Sequence, residues 1–271
     1  MLLPTEVTVL GRRVNVRQEL LLTMTDGKIC NALTSTSSTQ RCYVCEASPK
    51  EMNNLVTTKE KEVNFKSFSF GLSTLHAWIG FFECLLHISY RIDNKKWQVR
   101  AEDQAGVTRR KALIQEKFKQ QMGLLVDAPK PRGSGTTNDG NTARRFFSDP
   151  ALSADVTGLD ETLIHRFAII LQTISCGFAV NAAAFDDYAM DTARLFVSLY
   201  GWYYMPASVH KILLHGSEII SAALLPIGQL SEEAQEARNK DLKKFREIFA
   251  RKISRERERE RERERRLMKI Q

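Results

Sequence analysis

Asp26, Cys42, Cys45, His210, His215 and Glu236 are the residues of this 271-residue chain whose types and order suit metal chemistry. Cys42-Tyr-Val-Cys45 has the short spacing with which two thiolates grip one ion. His210-Lys-Ile-Leu-Leu-His215 offers two imidazoles far downstream. Together they make the ligand set of a closed tetrahedral Zn²⁺ site. Asp26 ends a strand-like run, and Glu236 stands on an expected helix. Carboxylates so placed suit the Mg²⁺ of a phosphoryl-transfer site. The order Asp, CxxC, HxxxxH, Glu suggests a zinc clasp that draws two distant carboxylates together.

Each motif also has a plainer reading. A CxxC arises by chance in many chains, although this one follows a loop and opens an expected short turn of helix at Ser48-Pro-Lys-Glu51. Residues i and i+5 of one helix point about 140° apart. His210 and His215 are therefore expected to reach one ion only if the helix ends or bends near Leu214-His215-Gly216. Otherwise one histidine packs in the core and the other faces solvent. Asp26-Gly27 is an ordinary turn pair, and Glu236 fits a solvated helix face. Cys30, Cys84 and Cys176 stand alone and read as buried thiols.

The elements that must position these groups follow from periodicity. Residues 5–10 and 14–25 are rich in strand formers, and Gly11-Arg12-Arg13 between them predicts an antiparallel hairpin. Thr34–Thr39 is a polar loop. Apolar spacing predicts helices over 72–92 and 105–121, the second closed by Gly123. Pro129, Pro131 and Gly133-Ser-Gly135 mark a loop across 127–141. Further helices are expected at about 141–148, 158–178, 181–199, 206–224 and 231–252.

Bulk properties narrow the class. The chain is 43% hydrophobic, enough to bury a sizeable core. No run of about eighteen apolar residues suggests a membrane span. The first residues lack the pattern of a signal peptide. Five cysteines with one close pair do not resemble a secreted disulfide framework. A reducing compartment, cytosol or nucleus, is expected. Of the net charge of +8, five units come from residues 251–271, with ten Lys or Arg against five Glu. The body is thus only weakly basic, compatible with phosphate binding without being diagnostic of it. Arg255–Arg265 alternates Arg and Glu, which supports an exposed helix only in part, since like charges recur at i,i+4. Arg144 and Arg145, following the Gly140-Asn141 turn, suit a phosphate or a solvated helix face equally.

Taken together, the motifs resemble the C-terminal part of the catalytic core of the large V(D)J recombination-activating protein and of Transib-type transposases, over about Thr5 to Phe249. In that family a catalytic Asp is followed by Lys, as in Asp26-Gly-Lys28. A CxxC and an HxxxxH supply zinc ligands, matching Cys42, Cys45, His210 and His215. The catalytic Glu precedes Asn-Lys on a helix, matching Glu236-Ala-Arg-Asn-Lys240. Ser73-Thr-Leu-His76 and Asp139–Arg145 also resemble family landmarks.

The resemblance implies an α+β, mostly α fold: a truncated RNase H-like core interrupted by a large helical, zinc-binding insertion. Residues 1–30 would supply the β-hairpin, 31–230 the insertion, 231–252 the helix returning to the core, and 253–271 a low-complexity tail. It also implies nuclear DNA recombination or DNA binding, structural Zn, Mg or Mn at Asp26 and Glu236, DNA contacts through Lys28, Arg144 and Arg145, and a possible homodimer. Two-metal catalysis in the family uses two Asp and one Glu. The first Asp belongs to a strand before the segment matched here, so a catalytically impaired chain is expected. A non-enzymatic zinc-organised interaction module and a non-functional gene fragment are the rival expectations.

Overall fold

The computed structural model of the protein describes residues 5–16, 27–130, 135–230, and Arg238, Asp241, Leu242 and Phe245. Thr5–Val9 (β1) pairs antiparallel with Arg12–Val16 (β2), Val7 opposite Val14. Leu10 and Gly11 form the turn, both at positive φ (50° and 75°). Two such residues match the right-handed twist of the flanking strands. The turn therefore starts one residue earlier than Gly11–Arg13, and its arginines belong to β2. Both faces of this ribbon are largely exposed. Among the described residues it is the only sheet, and the rest of the described residues are mostly helical.

The chain divides into two compact units, Met1–Ser231 and Glu232–Gln271. In the second, the backbone is helical at the four described positions, and most of the helix expected over 231–252 lies outside the described residues.

In the first unit, nine α-helices are described: α1 (Gly27–Leu33), α2 (Leu55–Lys59), α3 (Thr74–Arg91), α4 (Ala101–Lys117), α5 (Gly140–Ser148), α6 (Pro150–Thr157), α7 (Glu161–Ser175), α8 (Ala182–Tyr200) and α9 (Ala207–Ala222). Side-chain oxygens of Ser73, Asp139, Asp149, Asp160 and Asn181 accept from first-turn N–H groups and fix five helix starts. Three expectations need correction. Gly27 does not close a turn but begins α1, so Lys28 and Cys30 are helical. The helix expected over 158–178 is α7, which Asp160 starts only at Glu161, and an unexpected helix precedes it: Pro150 opens α6 and Gly158 ends it at φ 74°. A left-handed glycine stops a helix by turning the last carbonyls away from continued pairing. Ser48–Asn53 is a series of turns rather than a helix.

The core forms where α3, α5, α7 and α8 bring aromatic rings together. Phe81 meets Phe167 edge-on at 4.7 Å between centroids, Phe82 lies 5.1 Å from Phe146, and Phe167 stacks on Phe196 at 6.3 Å. These rings are fully buried, so they provide the main apolar driving force. α9 is set against this core at two narrow crossings. A Cβ on Gly80 of α3 would come within 2.8 Å of the Ser208 Oγ. A Cβ on Gly216 would come within 2.7 Å of the Phe185 ring of α8. The close approach at Gly216 carries the neighbouring His215 inward.

Candidate metal centre

Cys42–Cys45 forms a tight knuckle. The Cys42 N–H donates to the Ala47 carbonyl and the Glu46 N–H to the Cys42 carbonyl, with Glu46 at φ 56°. Ser48 and Glu51 brace the exit: the backbone N–H and hydroxyl of Ser48 both donate to one Glu51 carboxylate oxygen, at 2.8 and 2.6 Å. On the far side the Asn64 N–H donates to the Val44 carbonyl. Asn53 then staples the knuckle region to the approach of α9. Its amide donates to the Gly201 and Tyr203 carbonyls, and its carbonyl accepts from the Met205 N–H at 2.9 Å. One side chain thus bridges about 150 residues of sequence.

These anchors put all four predicted ligands in one place. Cys42, Cys45, His210 and His215 are buried, and one ligand atom from each lies within 4.8 Å of the others. Cys45 Sγ is 3.4 Å from His210 Nε2, and the two imidazole centroids are 5.5 Å apart. Zn–S and Zn–N bonds of about 2.3 and 2.0 Å put tetrahedral ligand atoms roughly 3.3–3.8 Å apart, so small side-chain adjustments close the cluster on an ion. The four residues are positioned to hold a metal ion, and the donor set is compatible with structural zinc.

The histidine geometry overturns the requirement for a helix break. α9 runs unbroken to Ala222, through both residues. The imidazoles extend far enough from the backbone to swing around the helix and meet at its flank. Their hydrogen bonding fits a metal as well. His215 Nδ1 faces the Glu218 carboxylate at 3.2 Å, while its Nε2 is buried without a hydrogen-bond partner. His210 Nδ1 is likewise buried and unpaired. An unsatisfied buried ring nitrogen costs about 1–3 kcal/mol, a cost that coordination of His215 Nε2 removes. Metal-bound histidines characteristically give their other ring N–H to a carboxylate or carbonyl.

Proton affinities agree with this arrangement. A hydrogen bond with Cys45 holds the Cys42 thiol down at about 7, against the opposing effect of burial. The Cys45 thiol moves up, through that same bond and through burial. The pair therefore gives up a first proton readily and retains the second. Burial pushes His210 down. Burial also acts against the charged form of His215, but the nearby Cys45 sulfur and the Glu218 carboxylate outweigh it and raise this group. His215 in turn holds the Glu218 carboxyl below its usual range.

Beside the centre, a cleft of about 290 Å³ opens between α1, the knuckle, α3 and the start of α9. Arg41, His76, Glu83 and Lys211 line it, together with Cys42 and Tyr43. Lys211 donates to the Tyr43 hydroxyl at 2.8 Å, and His76 Nδ1 pairs with the Ser73 hydroxyl at 2.6 Å. Gly27 of α1 reaches the same cleft. Glu83 is half-buried there, and burial raises its carboxyl despite a hydrogen bond from Asn138.

The other predicted site residues fall elsewhere. Asp26 and Glu236 lie outside the described residues, and Lys28 is on α1. Arg144 covers the Trp78 ring, its guanidinium carbon 5.5 Å from the centroid. Arg145 donates to the Met122 carbonyl at the end of the turn after α4. Asn53, Glu218, Arg41 and Lys211 were missed as candidates. Glu218 had a readable signal, because it stands three residues after His215 on one helix. Asn53 had none, since its partners are distant in sequence. No protein-family model and no curated protein matches this chain.

Proposed function

We propose that this chain is a transposase- or recombinase-derived DNA-binding or DNA-processing domain of the recombination-activating/Transib type, held together by structural zinc. The observation that supports this reading best is the convergence of Cys42 and Cys45 with His210 and His215 in one buried cluster, in a chain that also carries Asp26 before them and Glu236 after them. Four protein ligands leave no open position for catalysis, which suits a structural ion. When bound, such an ion cross-links the knuckle to α9 and supplies folding energy rather than chemistry.

The reading assigns the N-terminal hairpin and the 231–252 segment to an RNase H-like core interrupted by the helical insertion. A mostly helical body with one short antiparallel pair is compatible with that assignment. Asp26 and Glu236 would be oxygen ligands for Mg²⁺ or Mn²⁺. Arg41 and Lys211, in the cleft beside the clasp, add cations where a DNA backbone would run, alongside the expected contacts from Lys28, Arg144 and Arg145.

The test is duplex binding by fluorescence anisotropy across a salt series. Binding that weakens with salt is expected, because phosphate contacts release counterions. Arg41→Gln and Lys211→Gln should each weaken it and flatten the salt slope. Absence of binding at low salt by the zinc-loaded protein would overturn the reading. Mg²⁺- or Mn²⁺-dependent nicking abolished by Glu236→Gln would extend it to catalysis.

A further inference from the structure

We propose that Glu218 is the positioning residue of the metal centre, fixing the His215 ring so that Nε2, and not Nδ1, faces the ion. The inference rests on the reading of the Cys42/Cys45/His210/His215 cluster as a zinc site, and adds to it a residue outside the ligand set. The Glu218 carboxylate is 3.2 Å from His215 Nδ1, one helical turn along α9. A carboxylate can only accept, so this contact holds the ring proton on Nδ1. The lone pair then lies on Nε2, the buried nitrogen without a partner. Because a histidine tautomer is set by the partner of its other nitrogen, the contact also sets the ring's orientation.

A neighbouring charge network keeps Glu218 available for this task. Lys59 of α2 is the nearby cation that would compete for it. Its ammonium instead pairs with Asp186 of α8 at 3.1 Å and donates to the Leu214 carbonyl at 3.2 Å. The same Asp186 oxygen also accepts from the Ser217 hydroxyl at 2.7 Å. α2, α8 and α9 thus share one polar junction. Within it Lys59 is engaged by Asp186, and Glu218 meets the histidine.

The experiment compares zinc affinity, by competition with a chromophoric chelator, and His215 ring ¹⁵N shifts in wild type and variants. Glu218→Ala is expected to weaken zinc binding about ten- to hundred-fold and to move the His215 shifts away from the Nδ1–H tautomer. Glu218→Gln keeps an oxygen acceptor and should recover most of the affinity and the wild-type shifts. Asp191→Ala, which removes an exposed ion pair on α8, should change neither. Wild-type zinc binding with unaltered affinity and tautomer in Glu218→Ala would overturn the role of Glu218 while leaving the metal site standing. So would an equal loss of thermal stability with and without zinc and no change in the shifts. A wild-type protein that takes up no zinc would overturn both.

Discussion

The aromatic core and the Cys–His centre are both buried, but burial has opposite consequences in the two. Phe81, Phe82, Phe146, Phe167 and Phe196 lose nothing by leaving water, and their contacts satisfy themselves. His210 and His215 lose hydration and keep ring nitrogens without partners, while Cys42 and Cys45 share a strained proton balance. The first region is complete as protein alone. The second would be completed by a metal ion held at the four ligands, which on the proposed reading gives the fold two separable sources of stability. The core is built from helix faces adjacent in space, whereas the centre closes a loop of about 165 residues, which ordinary packing specifies weakly.

The sharpest way to break this contrast is to remove a ligand. Cys42→Ser or His215→Ala should abolish stoichiometric zinc, measured by elemental analysis, and lower the melting temperature more than any substitution outside the core. Far-UV circular dichroism should nevertheless keep most of its helical signal, because the aromatic core does not use the metal. Global unfolding on chelation would show that the two regions are not separable. Phe81→Ala is the converse: a loss of about 3–5 kcal/mol in chemical denaturation, with zinc content unchanged.

Gly216→Ala lies between the two regions and should touch both. Its methyl group would press on the Phe185 ring, costing about 1–3 kcal/mol and displacing His215, so zinc affinity should fall along with stability. A variant that loses stability but keeps full affinity would place the crossing in the core alone. The smallest effect expected is that of pH. Zinc requires both thiolates and neutral imidazoles, and the raised His215 group competes for protons. Occupancy should therefore fall as pH drops from 7 towards 5. In the metal-free protein the signs divide. The depressed Cys42 group stabilises above its ordinary value of 9.0 and loses that contribution as pH falls through about 7. The raised His215 group stabilises below 6.5 and loses its contribution as pH rises through its folded value. Acid titration of the loaded protein with a zinc-sensitive dye checks the first; melting curves of the chelated protein across pH check the second.

Residue types and local periods carried much of this. Cys42-x-x-Cys45 and the two histidines offered a candidate ligand set by residue type, but their spacing alone left the plainer readings open. The helical periods of α3, α8 and α9 were plain because apolar residues recur on one face. Caps such as Asp160 and Asn181 act locally, whereas α6 went unexpected because its eight residues carry too little apolar periodicity to stand out. Only the tertiary structure decided that an unbroken α9 serves both histidines, that Asn53 binds the knuckle region to the approach of α9, and that Glu218 meets His215 while Lys59 pairs with Asp186. These outcomes depend on which distant backbones meet. A sequence states the donors and acceptors a chain possesses, but the low-dielectric interior formed on folding selects which of them must find one another.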